Sequence, residues 1–188
     1  MGNREDLLAG AKQCLIEKGY RRTSARDIAT AAGTSLAAIG YHFGGKDNLL
    51  NLALVESAKE WGEEMERALA ASLDPGMSAV ERFEETWRRV IESFSTQRGM
   101  WLAQFRLLAE LRELPDQGEF LVTALREGRR ELAGIFQPSA GDRRVVGSVY
   151  HALLLGVMAQ WLIDPSDALS SADLVAGLRT VSGLFEGD

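Results

Sequence analysis

One cysteine, Cys14, stands in 188 residues, so no disulfide framework can form within the chain, and a reducing compartment is expected. Its helical-face neighbours Leu7, Leu8, Ala11 and Leu15 make it a small core residue rather than a reactive one. Histidine is as scarce: His42 and His151 lie far apart, and neither belongs to a metal-ligand motif. Also missing are a phosphate-cradling Walker loop, a G-x-S-x-G elbow and any Cys pair. These absences leave no catalytic constellation, and no metal or cofactor is expected. Prolines number four, and two of them, Pro75 and Pro115, fall where helical patterns break. There is no low-complexity tract, no fixed-period repeat and no period-2 run bounded by turn signals. An all-α chain is expected.

Positive charge is in deficit, with a net charge of −6, which argues against nucleic acid until its distribution is considered. Residues 1–50 hold Arg4, Lys12, Lys18, Arg21, Arg22, Arg26 and Lys46 against Glu5, Asp6, Glu17, Asp27 and Asp47. That leaves +2 on the first 50 residues and −8 on the rest. Such an asymmetry permits a DNA-binding head on an acidic body. No apolar segment follows a basic start, and Asp6 stands where a myristoylation pattern needs Ser or Thr. The cytoplasm is the expected location.

What is present is 3.6-residue periodicity throughout. A first helix is expected from Arg4 to Lys18, ended by Gly19. Ser24 can cap the next helix, with Asp27 three residues on as in a capping box. Gly33 ends that helix after about two turns. Thr34-Ser35 offers another cap, a short helix runs from Leu36 to Phe43, and Gly44-Gly45 breaks it. Further helices are expected near 46–72, 78–96, 98–113, 117–136, 142–163 and 171–186. Two helices this short are marginal in water unless packed. Ile28, Ala29, Ala32, Ile39 and Phe43 can pack on Leu7, Leu8, Ala11 and Leu15, presenting the third helix outward to a major groove.

The stretch Gly19-Tyr20 … Thr23-Ser24-Ala25-Arg26-Asp27-Ile28-Ala29 … Ala32-Gly33-Thr34-Ser35 … Ile39-Gly40-Tyr41-His42-Phe43 … Lys46-Asp47-Asn48-Leu49-Leu50 resembles the TetR family of regulators. The resemblance covers about the first 50 residues and implies a helix-turn-helix DNA-binding domain over 1–50, followed by a helical ligand-binding and dimerisation domain over 51–188. It carries over Thr23 as a phosphate-contacting hydroxyl and Arg26 as a contact to phosphate or a base edge. Tyr41 and His42 resemble the backbone-contacting pair, and Lys46 the phosphate-binding lysine that begins the long helix. Such contacts fix register without reading sequence. Ser35, Leu36, Ala37, Ala38 and Gly40 belong to the face that should meet bases. Leu36, Ala37, Ala38 and Gly40 offer no side-chain hydrogen bonds, and Gly40 stands where relatives often carry an aromatic residue. Readout is therefore expected from thymine-methyl contacts, Arg26 and DNA shape.

In the body, Val145 to Ile163 holds no charged residue, a length that reaches the threshold for a membrane span. Ser148, His151 and Gln160 would each be costly in lipid. A helix apolar on all sides is equally expected when one face packs in a core and the other in a subunit interface. Leu174, Val175, Leu178, Val181, Leu184 and Phe185 form a second apolar stripe. A four-helix homodimer interface accommodates both, with Val149, Leu153, Gly156, Leu174, Leu178 and Val181 as its candidate residues, and no membrane is expected. Trp61, Trp87, Trp101, Phe105 and Met158, with Gln104 and His151 as anchors, are candidates for an effector site; Glu110 and Gln160 are further anchors. The leading expectation is a homodimeric repressor on a roughly palindromic duplex, released by a small, largely apolar effector. Its rivals are a helical ligand- or partner-binding module that does not bind DNA, and a membrane-attached helical protein.

Overall fold

A computed structural model describes residues 3–74, 76–110, 118–136 and 142–184. Among them run nine helices and no strand: α1 (Asn3–Lys18), α2 (Ala25–Ala31), α3 (Leu36–Phe43), α4 (Lys46–Ser72), α5 (Ala79–Thr96), α6 (Arg98–Glu110), α7 (Gly118–Phe136), α8 (Arg143–Ile163) and α9 (Ser171–Ser182). The all-α expectation holds, and the starts and stops fall close to those the periodicity marks. The expected breaks at Pro75, Pro115 and 138–141, and Phe185 of the last stripe, lie outside the described residues.

The helices form two compact units, one of residues 1–61 with 99–128, the other of 62–98 with 129–188. The first unit is organised around α1. Leu7, Ala11, Cys14 and Leu15 of that helix are buried with Ile28 and Ala29 of α2, Ile39 of α3 and Leu49 and Leu50 of α4. Fully burying each large aliphatic side chain is worth about 1.5–3 kcal/mol, which is what holds helices of seven and eight residues in place. Cys14 sits in this core, where burial raises its thiol pKa. Between α2 and α3, Gly33 takes a left-handed φ of 61°, a conformation that costs glycine nothing and most residues about 1 kcal/mol or more.

The second unit packs α5 against α8 and α9. Trp87, Val90 and Phe94 of α5, Leu154, Val157 and Met158 of α8, and Leu174 and Val175 of α9 are buried. Phe136 of α7 stacks on Tyr150 of α8 at 4.3 Å and lies 5.3 Å from Trp87. Among the described residues, three helices open with reciprocal capping boxes: Ser24 with Asp27, Ser78 with Glu81, and Ser170 with Asp173. Each cap satisfies amides that the helix itself leaves unpaired, worth about 1 kcal/mol.

Candidate nucleic-acid interface

The first unit builds a surface from α2, its turn and α3. Ser24 fixes the start of α2: its hydroxyl accepts from the Asp27 amide at 3.2 Å, and Asp27 Oδ2 accepts from the Ser24 amide at 2.9 Å. Asp27 Oδ1 also meets Lys18 Nζ at 2.5 Å, tying α1 to α2. The lysine's hydrogen bond, then those from Ser24, hold the Asp27 carboxyl far below its ordinary range.

Ile39 plugs α3 into the core, and that anchoring fixes which residues face out. Leu36 is 48% exposed and Tyr41 86%. Ser35, Ala37 and Gly40 are exposed as well, and a Cβ added at Gly40 would meet nothing within 4 Å. Ser35 is the N-cap residue of α3, yet its side chain makes no capping hydrogen bond. His42 is half-buried, edge-on to Tyr41 at 4.9 Å. Arg26 is exposed on α2. Above the last turn of α3, the Arg4 guanidinium lies 5.4 Å from the centre of the Phe43 ring.

Two expected contact residues are placed otherwise. Thr23 is 1% exposed: its hydroxyl donates to the carbonyls of Gly19 at 2.7 Å and Cys14 at 3.2 Å, bracing the turn between α1 and α2. Its hydroxyl is thus turned into the chain rather than toward solvent. Ala38 packs partly against the core instead of lying on the open face with Ala37. Lys46 begins α4 half-buried, its ammonium 3.1 Å from Asp47 Oδ1 and donating to the Thr23 carbonyl at 3.3 Å. Tyr20, which sequence reasoning passed over, is a second brace: buried, it donates to Asn51 Oδ1 at 2.8 Å, and burial pushes its hydroxyl pKa well up. A polar Asn51 within Leu49-Leu50-Asn51-Leu52 was the signal, since a buried amide needs a partner.

The effector candidates divide between the units. In the first, Trp61 and Trp101 meet edge to face at 4.9 Å, Gln104 Nε2 lies 3.2 Å from Met100 Sδ, and Phe105 is exposed. In the second, Trp87 and Met158 are fully buried, while His151 is half-buried with its pKa lowered by burial and then by the Arg129 charge. Gln160 is exposed, and the Glu110 side chain lies outside what is described. Of the interface candidates, Val149 is 54% exposed, and Gly156 and Val181 are also exposed. Leu153 and Leu178 are half-buried. Leu174 is 5% exposed and belongs to the buried core of its own chain, on a helix packed against α5. Helix α8 is long and apolar enough to cross a membrane by length and composition.

Residues 7–53 match the family of bacterial regulatory proteins described as the tetR family. The transcriptional repressor AcnR of Corynebacterium glutamicum is 31% identical over 116 residues, 57% of this chain and 61% of that protein. The chain thus spans less than two thirds of that relative's length. The nicotine-responsive repressor HdnoR of Paenarthrobacter nicotinovorans is 25% identical over 87% of this chain and 86% of its own. Among solved structures, GusR of Salmonella enterica shares the fold with a TM-score of 0.67 at 20% identity, covering 94% of this chain and 92% of that one.

Proposed function

We propose, from the match of residues 7–53 to the tetR family of bacterial regulatory proteins, that the chain is a cytoplasmic DNA-binding transcriptional regulator: a homodimeric repressor released from its operator by a small, largely apolar effector. One observation carries the reading. Helix α3 is pinned by buried Ile39 while Leu36, Ala37, Gly40 and Tyr41 stay open to solvent, which is the disposition a helix needs to enter a major groove. Residues 1–50 act as the reading head and 51–188 as the body that binds effector and partner. Methyl and backbone approach through Leu36, Ala37 and Gly40 reads the bases, Arg26 meets phosphate or a base edge, and Tyr41, His42 and Lys46 hold phosphates.

Dimerisation supplies the second head. A two-fold axis sets two α3 helices about 34 Å apart, one turn of duplex, so the operator is roughly palindromic. The exposed apolar residues Val145, Val149 and Val181 favour a second copy as the surface that covers α8 and α9, since contiguous apolar faces are seldom left to water. For the effector, the aromatic groups of the body suit an apolar molecule, and HdnoR is a repressor named for its response to nicotine. A molecule bound only by the DNA-incompetent form would empty the operator.

Selection of bound duplexes from a random pool tests this reading. A two-fold-symmetric consensus is expected; a pool that returns no enriched sequence overturns it.

A further inference from the structure

We propose that Arg4, at the start of α1, is a phosphate contact of the DNA-binding surface, held in place by the ring of Phe43. The proposal rests on the reading of α3 as the helix that enters DNA. That helix, Leu36-Ala-Ala-Ile-Gly-Tyr-His-Phe43, has no lysine or arginine of its own. Three lysines of its unit are engaged: Lys12 is 2.6 Å from Glu60, Lys18 2.5 Å from Asp27, and Lys46 3.1 Å from Asp47. Arg4, like Arg26, is exposed and forms no ion pair among the described residues, and its guanidinium sits 5.4 Å from the Phe43 ring centre.

A cation–π contact with the ring uses none of the guanidinium's five N–H donors, and a phosphate can accept two of them at once. Phe43 directly follows Tyr41 and His42, which approach it through the edge-on contacts of His42 at 4.9 and 6.3 Å. Arg4 therefore stands over Phe43, the residue that ends α3, two positions after the exposed Tyr41. A cation beside the last turn of a helix is also favoured by the helix dipole, so the side chain is settled there before DNA arrives.

The test uses the full chain and two duplexes of about 30 base pairs: one recovered by random-pool selection with the wild-type protein, and one of scrambled sequence. Affinity is measured by fluorescence anisotropy over a series of KCl concentrations. Arg4→Ala is expected to flatten the plot of log K against log[KCl] by about 0.9 for each copy of the chain bound. It should weaken both duplexes alike, since a phosphate contact carries no sequence information. Arg4→Lys should restore the slope, and Phe43→Leu, which keeps an apolar side chain in the core, should reproduce part of the loss. A slope unchanged by Arg4→Ala overturns the proposal while leaving the regulator reading intact. A loss confined to the selected duplex overturns it too, by making Arg4 a base reader. Wild-type protein that binds neither duplex sinks the regulator reading itself.

Discussion

Lys18 and Asp27 are joined by a 2.5 Å ion pair that fastens the last turn of α1 to the first turn of α2. The same carboxylate closes the capping box with Ser24. One side chain therefore fixes both the start of α2 and its angle to α1, on which the aim of α3 depends.

The pair makes an acid-sensitive joint. Lys18 lowers the Asp27 pKa, with the Ser24 hydrogen bonds next, so the folded form holds a proton less tightly than the unfolded one. The stabilisation is complete above the ordinary carboxylate value of about 4 and fades as pH falls toward the depressed folded value. The Lys18 pKa is raised by the same contact, so its share persists until pH climbs past the ordinary lysine value of about 10.4. Wild-type protein should lose melting temperature between pH 4 and pH 2 more steeply than Asp27→Asn, measured by circular dichroism. Equal losses would show that the joint bears no acid-linked stability. Ser24→Ala should cost about 1 kcal/mol at neutral pH.

Thr23 is the natural control for the phosphate contacts. Its hydroxyl is shut inside, donating to Gly19 and Cys14. Thr23→Val keeps the shape and leaves those carbonyls without their donor, a loss of about 1–3 kcal/mol in urea unfolding, while Thr23→Ser loses less. Neither variant should change the salt slope of DNA binding. A flattened slope in Thr23→Val at full folding would return Thr23 to the DNA surface.

Lys46 and Asp47 offer a pair of opposite expectations. The Lys46 ammonium is shared between Asp47 at 3.1 Å and the Thr23 carbonyl at 3.3 Å. Lys46→Ala should weaken binding to all duplexes alike and flatten the salt slope by about 0.9 per copy. Asp47→Asn removes a competing negative charge and should tighten binding at low salt, an advantage that disappears as salt screens it. Anisotropy titrations at two ionic strengths decide both; a Lys46→Ala protein with wild-type slope removes Lys46 from the phosphate set.

Much of this fold was legible because its helices are punctuated chemically. Gly19, Gly33 and Gly44 stop α1, α2 and α3, and Ser24 with Asp27 announces α2. The same Ser-x-x-acid spacing opens α5 at Ser78 and Glu81 and α9 at Ser170 and Asp173, starts that periodicity alone also marks. Side-chain direction was the harder matter. Thr23 and Ser24 are adjacent hydroxyls, and nothing in the sequence says that one caps while the other is swallowed by the turn. In Leu36-Ala37-Ala38-Ile39 every residue is apolar, so no contrast separates Ala38, which leans on the core, from Ala37, which does not. Leu174 shows the same limit: its stripe on α9 is apolar toward its own chain and toward any partner, so the pattern could not assign it.

Two glycines of α8 should respond oppositely to alanine. A Cβ on Gly147 would collide with the Arg129 carbonyl oxygen, a backbone atom that cannot swing aside. Gly147→Ala should therefore push α8 off α7 and cost about 1–3 kcal/mol, as overpacking does. At Gly156 nothing lies within 4 Å, and alanine should raise the stability of the single chain by about 0.5–1 kcal/mol. Sedimentation adds a second reading there: weakened self-association in Gly156→Ala places the partner's surface against that stretch of α8. A Gly147→Ala protein as stable as wild type would refute the close α7–α8 approach.

Leu36 is where sequence discrimination should be felt without any hydrogen bond. It is 48% exposed in the first turn of α3, with Ala37 and the open backbone of Gly40 beside it. A branched aliphatic group at that site gains from a thymine methyl and gains nothing from cytosine, which lacks the methyl in the same groove. Leu36→Ala should thus leave the salt slope untouched, because no phosphate contact is lost, while lowering the preference at one base pair of each half-site. The penalty for replacing that thymine is expected to shrink by about 1 kcal/mol, measured by competition between the selected duplex and single-substitution variants. Phosphate residues do the reverse, changing the slope and sparing the preference. A Leu36→Ala protein that lost affinity for every duplex equally would mean that Leu36 supports the shape of α3 rather than reading DNA.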